Sequence, residues 1–150
     1  MTRIIDTKKE VLVGLSKAAD VVSSTMGAHG KYVLINRNGY SRFTKDGVSV
    51  AREIKLRNPI EDIGAQLVIN SAQKTVEECG DGTTSTSVLL KAMANREIPS
   101  NTREYVTTLQ TEIATVIDKV LESSKELTTL DELEAIASTS GNSKEVGKIL

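Results

Sequence analysis

A chain of 150 residues has the length of one ordinary domain, enough to bury a real core. Its 19 Lys and Arg against 20 Asp and Glu leave a formal charge of −1, which excludes a whole-chain field that would gather nucleic acid or an anionic membrane. One cysteine, Cys79, excludes an internal disulfide; with no signal-peptide h-region after Met1 and no bilayer-length apolar run, a soluble, reducing, cytoplasmic setting is expected.

In chain order, Thr7 and Glu10 have capping-box spacing and predict a helix from about Lys8. Val11, Leu12, Leu15, Ala18, Ala19, Val22 and Met26 recur at helical spacing, and Gly27 closes the run. Tyr32–Ile35 reads as a strand, Asn38-Gly39 as a hairpin turn and Tyr40–Thr44 as the returning strand. Asp46 is placed to cap a short helix through Ile54. Pro59 opens a helix whose apolar residues, Ile60, Ile63, Leu67, Ile69, Ala72 and Val76, spread over more than one face, as in a helix buried on several sides. It stops at Gly80-Asp81-Gly82, and the next helix runs from Thr83 to about Asn95.

Pro99 and its neighbours predict a loop. Tyr105, Leu109, Ile113, Val116, Ile117, Val120 and Leu121 give the cleanest amphipathic stripe. Thr129 and Glu132 repeat the capping-box spacing before a helix to about Ala137; 138–142 reads as a loop and 144–150 as a helix. The fold class is mainly α with one β-hairpin.

Three glycine joints hold the residues suited to chemistry. Gly80-Asp81-Gly82-Thr83-Thr84-Ser85 combines glycines that admit a ligand to the backbone, a helix start that favours an anion and several hydroxyls. Asp81 among them suits Mg²⁺ held by one carboxylate and substrate phosphates. A helix C-cap followed by a hydroxyl-rich helix start is the plainer account. Thr25-Met26-Gly27-Ala28-His29-Gly30 lacks the Walker A pattern and, on its own, is better explained as a helix end before a strand. In Thr44-Lys45-Asp46-Gly47, Lys45 could meet phosphate as a point charge, and Asp46 could cap a helix or orient water. His29, the only histidine, reads as a solvated loop residue and Cys79 as an inert thiol.

Read together and in order, these joints resemble the group I, bacterial-type chaperonins. The resemblance rests on Thr25-Met26-Gly27-x-x-Gly30, the stretch from Thr44 to Ile54, Gly64 to Val68, Gly80 to Thr84, and Ser140 to Ser143 with Val146-Gly147-Lys148. It implies an equatorial-domain helical bundle over 1–127 running into the start of an intermediate domain at 128–150. It implies ATP, Mg²⁺ and K⁺ as cofactors, with Thr25, Met26, Gly27 and Ala28 at the nucleotide, Lys45, Gly82, Thr83, Thr84 and Ser85 there too, Asp81 on the metal and Asp46 near the hydrolysis site. It further implies unfolded protein clients, a homo-oligomeric ring, heptameric in the family, and a co-chaperonin, with no nucleic acid or membrane. The hairpin resembles the stem-loop that pairs with a neighbouring subunit, and Arg3-Ile4-Ile5 its N-terminal strand.

The sequence departs from the family at Ala28-His29, where Pro-Lys is usual, at Ser85, where Thr is usual, and over 94–106. The apical domain, the returning equatorial segment, the principal catalytic aspartate and several adenine contacts of the family have no counterpart before Leu150. The expectation is an N-terminal fragment of a chaperonin ATPase, inactive alone. The alternative is a truncated, non-catalytic relative that binds partners or chaperonin rings.

Overall fold

The computed structural model describes residues 7–37, 39–97, 100–141 and 143–149, which form seven helices and one two-stranded antiparallel sheet. The mainly α class with a single hairpin therefore stands. Arg3-Ile4-Ile5, Asn38, Pro99 and Asn142 lie outside the described residues. The chain divides into two compact units, Met1–Glu97 and Ile98–Leu150.

In the first unit, α1 (Thr7–Ser23) ends three residues before Met26. The hydroxyls of Ser23, Ser24 and Thr25 donate to the carbonyls of Ala19, Val21 and Val22 at 2.6, 2.7 and 2.8 Å, satisfying the last turn from the side. Met26 thus leaves the apolar face and is exposed. Thr7 lies within the helix, and Glu10, expected to close a capping box with it, instead accepts from Asn58 Nδ2 at 3.1 Å.

Strands β1 (Val33–Arg37) and β2 (Tyr40–Thr44) pair with Arg37 opposite Tyr40, so the turn is two residues long. Gly39 takes φ +84°, as a two-residue hairpin turn demands. Helix α2 (Gly47–Glu53) is followed by α3 (Pro59–Cys79), whose N-cap Asn58 accepts the Ile60 N–H, and by α4 (Thr83–Ala94).

The core lies where α1 crosses α3. Leu15, Ala18 and Ala19 meet Ala65 and Val68, with Leu90 and Ala94 of α4 alongside; a second cluster joins Val22, Val50, Ala51 and Ala72. The crossing is unusually close. A Cβ on Gly14 would stand 1.8 Å from the Glu61 carbonyl oxygen, and one on Gly64 1.9 Å from that of Val11. Lys17 adds an ion pair to Glu61 at 2.6 Å. Burial on α3 follows one stripe, Gly64, Ala65, Val68, Ile69 and Ala72, while Ile63 and Leu67 are exposed, so the expectation of burial on several sides is corrected. Small residues let the partner helix approach so closely that one stripe suffices.

In the second unit, α5 (Thr102–Ser123) is capped by Asn101 and buries no residue. Helix α6 (Leu130–Ser140) starts with the expected capping box of Thr129 and Glu132. It continues past Ala137, whose carbonyl accepts the Gly141 N–H at 2.9 Å, so 138–140 is helix rather than loop. Helix α7 (Lys144–Ile149) packs on α6 at Gly147, where a Cβ would come within 2.0 Å of Ser138 Oγ. Among the described residues, no helix is long and apolar enough to cross a membrane.

Candidate functional site

The joint between α3 and α4 is built from two left-handed glycines. Gly80 (φ +77°) ends α3, its N–H donating to the Val76 carbonyl at 2.9 Å. Gly82 (φ +94°) starts α4, and no side chain caps that helix. Between them the exposed Asp81 accepts the Gly82 N–H at 2.6 Å. The hydroxyls that follow divide by environment. Ser87 is fully buried and donates to the Thr83 carbonyl at 2.9 Å; Thr86 and Thr75 share a hydrogen bond of 3.0 Å. Ser85 is exposed. Thr83 is 4% exposed, and its Oγ1 has no hydrogen-bond partner. A buried unpaired hydroxyl costs about 1–3 kcal/mol and calls for a partner.

The second joint rests against this one. A Cβ on Gly47 would lie 2.6 Å from Thr84 Oγ1, 3.7 Å from Thr83 Cγ2 and 3.5 Å from Val22 Cγ1. Only glycine lets the α2 backbone approach so near. Asp46 caps α2: its carboxylate accepts the Ser49 N–H at 3.0 Å, the Ser49 hydroxyl at 2.6 Å and the Val48 N–H at 3.4 Å. Partial burial pushes its pKa up, but the Ser49 hydroxyl, the Ser49 and Val48 amides and the Arg52 charge together outweigh that and hold it below the ordinary value. Lys45 turns its ammonium over the Tyr32 ring, 4.8 Å from the centroid.

The first joint reaches the same place through Val22, whose carbonyl accepts the hydroxyl of the buried Thr25 at 2.8 Å. Gly30 is seated on the Thr25 carbonyl, where a Cβ would be 2.1 Å from the oxygen. Met26, Gly27, Ala28 and His29 form an exposed turn with Gly27 at φ +75°.

The fold thus brings Gly47, Thr83 and Thr84 together beside Val22, whose carbonyl holds the buried Thr25, whereas Met26, Ala28, Asp81 and Ser85 are exposed. Thr75 and Tyr32 went unmarked in the sequence. Thr75, one turn before the end of α3, lies beside Gly82, and no sequence signal marks it. Among the described residues, no group of three or more His, Cys, Asp or Glu could hold a metal ion. The donors at the α3–α4 joint, one carboxylate beside uncapped amides and an orphan hydroxyl, instead suit a cation that arrives with anionic oxygens.

The model of the TCP-1/cpn60 chaperonin family matches residues 18–149. The chain belongs to that family. Chaperonin GroEL of Mycoplasma pneumoniae is 35% identical over 97% of this chain, and Chaperonin GroEL of Acholeplasma laidlawii 36% over the same share. The chain spans 28% of the length of each of these chaperonins. Among solved structures, the chaperonin gp146 from the Pseudomonas aeruginosa bacteriophage EL, crystallised in the presence of ATP-BeFx, aligns with a TM-score of 0.81 at 31% identity, covering 96% of this chain and 27% of that one. A group III chaperonin in the open state shares the fold at TM-score 0.74 and 21% identity, over 95% of this chain and 30% of that one.

Proposed function

We propose that this chain supplies the phosphate-binding part of a chaperonin ATP site, in the equatorial domain of a subunit that uses ATP to drive protein folding. The observation that carries the reading is the contact of Gly47 with Thr83 and Thr84, which joins two chaperonin motifs beside an uncapped helix start and an unpartnered buried hydroxyl. The phage chaperonin solved with ATP-BeFx adds support from a relative.

The α4 amides and the Thr83 hydroxyl would donate to phosphate oxygens, with Thr84 and Ser85 beside them and the Thr25–Ala28 turn along the nucleotide. Asp81 would hold Mg²⁺, which when bound neutralises charge shared between phosphate oxygens. K⁺ accompanies it in the family. Lys45 adds a positive point charge, and Asp46 stays ionised to orient water close to the hydrolysis site. We assign 1–127 to the equatorial domain and 128–150 to the start of the intermediate domain, a proposed boundary that lies in the link between α5 and α6 and differs from the division of the compact units after Glu97. In the cytoplasm, such subunits would form a homo-oligomeric ring, heptameric by family resemblance, that encloses unfolded clients with a co-chaperonin.

In the intact chaperonin containing this chain, Asp81→Ala is expected to abolish Mg²⁺-dependent ATP hydrolysis while rings still assemble. Undiminished turnover in assembled variant rings would overturn the metal assignment.

A further inference from the structure

We infer that Tyr32 is a positioning residue for Lys45, holding its ammonium ready for a nucleotide phosphate without neutralising it; the inference rests on the ATP reading above. Lys45 sits between β2 and α2, and its nearest acidic neighbour in sequence turns to the start of α2 instead of pairing with it. The Asp46 carboxylate is taken up by the Ser49 amide, the Ser49 hydroxyl and the Val48 amide, at 3.0, 2.6 and 3.4 Å. Among the described residues no carboxylate pairs with Lys45. Its ammonium stands 4.8 Å from the Tyr32 ring centroid, inside the range of cation–π attraction.

The choice of partner matters chemically. A carboxylate would cancel the lysine charge and compete with phosphate for its three N–H donors. An aromatic face attracts the ammonium from one side only and leaves its charge and outward donors available. It also narrows the rotamers of a long flexible side chain, whose ordering would otherwise weaken phosphate binding. Tyr32 is well placed to do this. It follows the first glycine joint by two residues, is 66% exposed, and belongs to neither of the two core clusters.

The test uses the intact chaperonin and Mg-ATP, with wild type, Tyr32→Phe, Tyr32→Leu, Lys45→Met and the double variant Tyr32→Leu/Lys45→Met. Tyr32→Leu is expected to raise KM about threefold with the loss absent from kcat, since the contact is equally present before and during reaction. Tyr32→Phe keeps the ring face and should restore the wild-type KM. In the Lys45→Met background, Tyr32→Leu should add nothing. A Tyr32→Leu effect that phenylalanine fails to rescue, or that persists without Lys45, would overturn the inference, as would an unchanged KM in Tyr32→Leu when Lys45→Met raises it. If Lys45→Met itself leaves KM unchanged, the placement of Lys45 at the phosphates fails first, and the role of Tyr32 falls with it.

Discussion

Asp46 caps α2, and the proposed ATP site gives it a second duty, orienting water, that one substitution can separate from the first. As the N-cap of α2 it satisfies helix amides, a contribution of about 1 kcal/mol. Asparagine also caps well but cannot carry the charge to which the proposal assigns the orienting of water. Asp46→Asn is therefore expected to lower the melting temperature only slightly and to cut ATP turnover sharply in the intact protein. Asp46→Ala should lose both. The pH dependence has a definite sign. Because the folded carboxyl titrates below the ordinary value, its stabilising contribution is fully present above the unfolded pKa of about 3.9 and is lost as pH falls through the lower folded value. The stability difference between wild type and Asp46→Asn, measured by denaturant titration, should thus persist at neutral pH and close as pH falls below about 4. Persistence of the full gap in acid would show that hydrogen bonding rather than charge sets it.

Among the elements, the α1–α3 crossing depends on two glycines more than on any large side chain. Each costs about 1 kcal/mol of helix propensity relative to alanine, yet each admits a carbonyl that no Cβ could tolerate. Gly14→Ala and Gly64→Ala are expected to destabilise the first unit by about 3 kcal/mol despite the gain in propensity, seen as a lower denaturation midpoint. A neutral or stabilising effect would mean that the helices part without loss. The sequence showed that these two helices exist, but not this contact, because no spacing rule says which backbone will approach a helical glycine. The hairpin was legible to the residue in β2, since Asn38-Gly39 leaves few registers open. Helix ends were less so: the Ser-Thr runs at 23–25 and 138–140 are alike in composition, yet the first closes α1 and the second extends α6. In the one, hydroxyls serve the last carbonyls of the helix; in the other, a hydroxyl bonds back while the backbone ladder continues. The site followed the same pattern. Its motifs could be read one by one, but their convergence on Val22 comes from packing between elements far apart in sequence.

For the molecule as a whole, the decisive fact is the apolar surface left open. Ile113, Val116, Ile117, Val120 and Leu121 of α5 are 44–64% exposed, and Tyr32, Leu34 and Phe43 of the hairpin are more than half exposed. In the sequence the α5 stripe has the pattern of a core-facing helix, so its exposure reflects missing cover rather than a polar design. At micromolar concentration the 150-residue chain on its own is expected to self-associate, with a sedimentation coefficient that rises with concentration. Replacing Ile117 and Leu121 with glutamate should suppress that association while leaving helical circular dichroism nearly unchanged, because both residues already face solvent in the single chain. A monomeric wild-type chain that melts cooperatively would contradict this account. Loss of helix in the doubly substituted chain would show instead that the stripe stabilises its own helix through association.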